Sequence, residues 1–135
     1  KKLVRRYGSQ SIIASVDYKD NDVFICNGEI KIDINIFEYL DYVQSLGVGE
    51  VYLNSIKHDG TGFGFDFGMI NKVKNTIRVP LIIAGGAGNE GHLIDGLIDK
   101  RIDAVATANL FNFIGDGLVN ARKEAIRHSS NIATW

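Results

Sequence analysis

The sequence predicts an α/β fold built from four consecutive βα units with parallel strands. Two observations carry that reading. Short runs rich in Val and Ile alternate along the chain with stretches whose apolar residues recur at helical spacing. The 15 glycines cluster, notably at 60–64 and 85–88, behind such runs, where a strand hands over to a helix. Strands alternating with helices imply parallel pairing through right-handed crossovers. Two architectures hold such units, a doubly wound open sheet and a (βα)8 barrel, of which four units make half.

Residues 11–17 (SIIASVD) read as the first strand, a compact apolar run ending in the carboxylate of Asp17. Residues 23–32 read as a hairpin, because Asn27-Gly28 suits a type I′ turn. Over 35–46, Ile36, Phe37, Leu40 and Val43 share one helical face, with Asn35 or Asp33 to cap its start and Gly47 past its end. Residues 50–54 are the second strand, and Asp66 caps a helix that turns Met69, Ile70 and Val73 inward. Residues 80–84 are the third strand, followed by a helix over 90–100 with Leu93, Ile94, Leu97 and Ile98 inward. The fourth strand covers 103–107, and a short turn at 109–113 leads to a helix over 116–128 carrying Leu118, Val119, Ala125 and Ile126. No linker interrupts the pattern, so residues 1–135 read as one domain.

Composition bounds the function. Hydrophobic residues make up 45% and charged residues 23%, the balance of a globular domain. With 15 Lys+Arg against 16 Asp+Glu, the chain lacks the basic excess of a nucleic-acid binder. No apolar run approaches the roughly 20 residues that cross a bilayer. The single cysteine, Cys26, excludes an internal disulfide and a cysteine-built metal site, and suits a reducing cytoplasm. No spacing of His, Asp and Glu suggests a metal, and no cofactor is expected. The chain opens Lys1-Lys2-Leu3 without an initiator Met, so a processed or truncated chain is expected.

In parallel α/β folds, ligands meet the loops that follow the strands. Those positions here are Asp17, residues 55–66, Gly85 to Gly88, and Ala108 with Asn109. Glycines at 85, 86 and 88 let backbone N–H groups approach an anion, and a helix start near Ala108 would favour phosphate. The same glycines also suit a plain tight turn. Asp17 stands where a general acid or base would face a barrel mouth, yet the loop behind it equally suits a turn cap. Asp59, between His58 and Gly60, can meet a ligand hydroxyl or satisfy loop N–H groups. His92 and His128 read as surface residues. Glu50 starts its strand at the opposite end, where a solvated carboxylate is ordinary.

Four ordered stretches together resemble one family: YGSQSIIASVD at 7–17, GEVYLNSIKHDGT at 49–61, IAGGAG at 83–88 and ATANLF at 106–111. The chain resembles the cyclase subunit of imidazole glycerol phosphate synthase, but only the C-terminal half of that family's barrel. The resemblance implies half of a (βα)8 TIM barrel. It also implies a lyase and cyclase of histidine biosynthesis. In that chemistry, ammonia from a glutaminase partner crosses the barrel and reacts with a bis-phosphorylated aminoimidazole carboxamide ribonucleotide. Imidazole glycerol phosphate and a purine precursor result. By the same resemblance Asp17 is one of two catalytic aspartates, and Asp59 and Gly60 lie near the substrate. Gly85, Gly86, Ala108 and Asn109 form one phosphate site, and Glu50 belongs to a charged ammonia gate.

The sequence departs from the family at informative positions. Asn54 stands where Thr is usual, and Lys57 and His58 replace Asp and Arg in SIDRDGT, while Ala84 and Asn109 each replace a Ser. Lys57 reverses a charge beside the expected reaction centre. These changes lean toward cyclase-like paralogues that amidate a nucleotide sugar in surface polysaccharide synthesis. A non-catalytic, phosphate-binding half-barrel is a third possibility. A half-barrel would also leave an inner face of Val, Ile and Leu uncovered, so self-association is expected.

Overall fold

A computed structural model of the chain describes residues 1–108, 110 and 117–128. Six strands form one sheet: β1 (Ile13–Lys19), β2 (Asp22–Ile25), β3 (Ile30–Asn35), β4 (Glu50–Ser55), β5 (Leu81–Ala84) and β6 (Ala104–Val105). Helices α1 (Lys2–Tyr7), α2 (Ile36–Ser45), α3 (Phe67–Val73), α4 (Glu90–Ile98) and α5 (Gly117–His128) accompany them. The strand order is β3-β2-β1-β4-β5-β6. β1, β4, β5 and β6 pair in parallel, each beside the next in sequence, while β2 and β3 append an antiparallel hairpin to the free side of β1. A doubly wound sheet reverses direction at a switch point; these parallel strands step one way only, as in part of a (βα)8 barrel.

Local chemistry sets most boundaries as the sequence predicts. Asn35 Oδ1 accepts the N–H groups of Phe37 and Glu38 at 3.0 Å, and Asp66 Oδ1 accepts that of Met69 at 2.9 Å, starting α2 and α3. Asn27 and Gly28 take φ of 59° and 83°, and the Glu29 N–H donates to the Cys26 carbonyl, closing the hairpin as a type I′ turn does.

Other expectations need correction. β1 does not end at Asp17; pairing with β2 carries it on to Lys19, with Asp20 at φ 55° in the turn. Helix α1 was not foreseen, and it buries no side chain. On α4, Leu93 and Gly96 are buried while Ile98 is 55% exposed, because a Cβ at Gly96 would stand 2.4 Å from Val105. On α5, Ala121 and Ala125 are buried and Val119 is exposed. The side chain of Leu118 and the turn at 109–113, apart from Leu110, lie outside what the structure describes.

The two faces of the sheet differ by strand parity. Val16, Tyr18, Val51, Leu53, Leu81 and Ile83 point to the helices and join one core with Ile36, Leu40, Val43, Met69, Ile70 and Val73. The opposite face is layered by register: Ile13 beside Glu50; then Ser15, Tyr52, Ile82 and Ala104; then Asp17, Asn54 and Ala84. The strand Val and Leu residues therefore lie on the helix side, and the expected inner face of Val, Ile and Leu reduces to Ile13 and Ile82 among polar and small neighbours.

Candidate active site

A cleft of about 420 Å³ opens where the parallel strands end, within the range of small-ligand sites. Tyr52, Asn54, Asp59, Gly60, Gly85, Gly86 and Ala108 all contribute to its lining. Five of these are expected site residues, brought together from three βα loops. Asp17 is not in the lining but touches it: Asn54 Nδ2 donates to Asp17 Oδ1 at 3.0 Å from the neighbouring strand. Glu50 lies on the same sheet face at the far end of β4, four residues or about 13 Å from Asn54. Asn109 falls outside the described residues.

The two glycine loops pack backbone against backbone. A Cβ would lie 2.4 Å from the Ser55 carbonyl at Gly85, 2.0 Å from that of Gly64 at Gly86, and 2.3 Å from that of Gly62 at Gly88. Packing alone thus demands glycine at these positions, before any ligand is considered. The Gly64 N–H donates to the Gly86 carbonyl at 2.7 Å, and the Gly88 N–H to His92 Nδ1 at 3.0 Å. Among the described residues nothing accepts the N–H groups of Gly86 and Ala87, both residues of the cleft lining. His92 is half-buried and holds the loop, rather than being a bystander on the surface.

Behind the β4–α3 loop sits a polar cluster that the sequence did not reveal. The Ser55 hydroxyl is 1% exposed and lies 2.8 Å from His58 Nδ1, and the Ser55 carbonyl accepts the N–H groups of His58 and Asp59. The Tyr18 hydroxyl donates to Asp66 Oδ2 at 3.3 Å. Burial pushes the Tyr18 phenol well above its usual range, a hydrogen bond from Ser55 opposes this, and the Asp66 carboxylate reinforces it. His58 is thus committed to the loop's fold. Lys57 also turns away: its ammonium meets Asp20 Oδ1 at 2.9 Å, outside the cleft lining. That pairing holds Asp20 below and Lys57 above their usual values, and the charge reversal does not enter the cleft.

Tyr52 is the functional-site residue that sequence reasoning missed. Partial burial, then the carboxylates of Asp59 and Asp17, push its phenol upward, so it faces the cleft as a protonated donor. Strand period two placed it on the same face as Asn54, which was the available signal. No Lys, Arg or His stands among the described lining residues, which present the Asp59 carboxylate, hydroxyls, the Asn54 amide and backbone dipoles.

Residues 1–115 match the profile of a family described as histidine biosynthesis protein, a span that includes every strand and the whole cleft. The chain belongs to that family. A putative imidazole glycerol phosphate synthase subunit hisF2 of Parasynechococcus marenigrum (strain WH8102) is 43% identical over 139 residues, covering 99% of this chain and 52% of that protein. Imidazole glycerol phosphate synthase subunits HisF of Chlorobium limicola and Pelodictyon phaeoclathratiforme are each 36% identical over 116 residues, covering 83% of this chain and 46% of theirs. The chain spans about half the length of the curated relatives it matches. The family resemblance read from the four stretches therefore holds, and so does the barrel-type α/β fold.

Proposed function

We propose that this chain supplies the C-terminal half, as a single domain, of an ammonia-using cyclase of the imidazole glycerol phosphate synthase type. The observation that carries the reading is one sheet face with Asp17 and Asn54 at the cleft and Glu50 at its other end. In this reading Asp17 is the general acid or base, Asp59 and Gly60 bind substrate hydroxyls, and Gly85, Gly86, Ala108 and Asn109 surround one phosphate. Ammonia enters past Glu50 and travels along the face lined by Ser15, Tyr52, Ile82 and Ala104. The reaction belongs to the lyase and cyclase class, and the nitrogen comes from a glutaminase subunit docked at the Glu50 end. The other half of the barrel carries the second catalytic carboxylate and the second phosphate site. It is replaced by self-association where the chain stands alone. The exposed free thiol of Cys26 suits work in the cytoplasm.

One feature favours a second reading, a paralogue that amidates a nucleotide sugar. The chain departs from the family pattern at the cleft itself, with Asn54 where Thr is usual and Ala84 where Ser is usual. Binding separates the two. The bis-phosphorylated aminoimidazole ribonucleotide, followed by NMR, is expected to shift the amides of Gly86, Ala87 and Gly60. Shifts with a nucleotide sugar but not with the ribonucleotide would establish the second reading. Phosphate-induced shifts alone, with no response to either compound, would leave a non-catalytic phosphate-binding unit.

A further inference from the structure

Asn54 links Asp17 to the glycine loop that follows β5. It lies beside Asp17 across the parallel β1–β4 pair, and its neighbour on the other side is Ala84, the last residue of β5 before the glycine loop. Its amide orientation is fixed chemically. A carboxylate only accepts, so the nitrogen must face Asp17, at 3.0 Å from Oδ1. The amide oxygen then lies against Gly85, 3.1 Å from where a Cβ would be. Asp17 Oδ2 has no hydrogen-bond partner among the described residues. On its other side Asp17 stands opposite Phe24 of β2, which offers no hydrogen bond, so among the described residues Asn54 supplies the polar contact to its carboxylate, itself set between that carboxylate and Gly85.

We propose that Asn54 is the positioning residue for Asp17. By engaging Oδ1 it holds the carboxylate in one rotamer and leaves Oδ2 as the working oxygen at the edge of the cleft. Gly85 is part of the device, because a side chain there would displace the Asn54 amide. This inference rests on Asp17 being the reacting carboxylate, but its first test does not.

The three-bond couplings from Asp17 Cγ to its backbone N and C′ report χ1 directly in the isotopically labelled chain. A single rotamer is expected in the native chain and rotamer averaging in Asn54→Leu, with Asn54→Ser as the smaller substitute should the first not fold. An Asp17 that keeps one rotamer in a folded Asn54 variant would overturn the proposal. The exchange Asp17→Asn with Asn54→Asp separates positioning from packing. The amide–carboxylate bond re-forms with its partners reversed, so the melting temperature should return to within a few degrees of the native chain. In the turnover assay with the complementary half-barrel supplied, kcat should stay at least tenfold down, with KM changed less than threefold, because the carboxylate now sits one strand away. Native kcat in the exchanged variant would overturn the proposal. Unchanged turnover in Asp17→Asn alone would instead remove the functional reading beneath it, while the rotamer result would stand.

Discussion

The two faces of the parallel sheet are made from the same strands, yet they do opposite work. On the helix side, Val51, Leu53 and Leu81 are at most 2% exposed and close a continuous core. On the other side the alternate residues of those strands, Tyr52, Asn54 and Ile82, remain half-exposed, and Tyr52 and Asn54 bring polar groups to the cleft. Strand parity divides the sequence into a set that stabilises the fold and a set free to bind. A substitution should therefore report on stability or on binding according to which side of the pleat it occupies.

Leu53→Ala should show the largest effect, about 2–5 kcal/mol lost in urea unfolding. Ile13→Ala, at a side chain 52% exposed on the other face, should cost less than about 1 kcal/mol. Comparable losses at both sites would break the division. Gly86→Ala breaks it deliberately, since a backbone at φ 110° would have to accept a Cβ against the Gly64 carbonyl. It should lose roughly 1–3 kcal/mol and the phosphate-induced amide shifts together.

A smaller effect tests the helix side at its polar seam. Gln44 is buried, donates to the carbonyls of Leu40 and Thr76, and accepts the Arg78 N–H at 2.7 Å. Gln44→Leu should cost about 1–3 kcal/mol by leaving those groups unpaired, with ligand binding unchanged. Tyr18 sharpens the comparison through pH. Its phenol is raised in the folded chain, so its contribution to stability is complete below the unfolded value of about 10 and is lost as pH climbs through the higher folded value. Absorbance at 295 nm should show exposed tyrosines ionising first and Tyr18 only with alkaline unfolding. Ionisation of every tyrosine in the folded chain near pH 10 would contradict its burial. Lys57→Ala should be smallest, with no measurable change in stability, since its pair with Asp20 is solvent-exposed on both sides.

The sequence disclosed what depends on neighbours in the chain. Asn35, Asp66 and the Asn27-Gly28 turn announce themselves because a cap or a tight turn needs one residue type within three positions. What stayed hidden depends on partners far along the chain. β1 runs on past Asp17 only because β2 returns beside it, and Lys57 leaves the cleft only because Asp20 waits 37 positions away. Gly96 is buried because Val105 packs on it, which no helical period encodes. The site shows the same split. Asp59, Gly60, Gly85 and Gly86 were legible as loop residues behind strands, and the resemblance gave Asp17 a role. The Asn54–Asp17 bond required the parallel register of β1 and β4.

The most direct test of the account is ammonium-dependent turnover of the bis-phosphorylated aminoimidazole ribonucleotide by this chain combined with the N-terminal half of the Chlorobium limicola HisF subunit. Imidazole glycerol phosphate should form, and Asp17→Asn should abolish it while leaving phosphate-induced shifts at Gly86 intact. A folded, phosphate-binding assembly that forms no product, or one that Asp17→Asn leaves fully active, would contradict the assignment of this sheet face to cyclase chemistry.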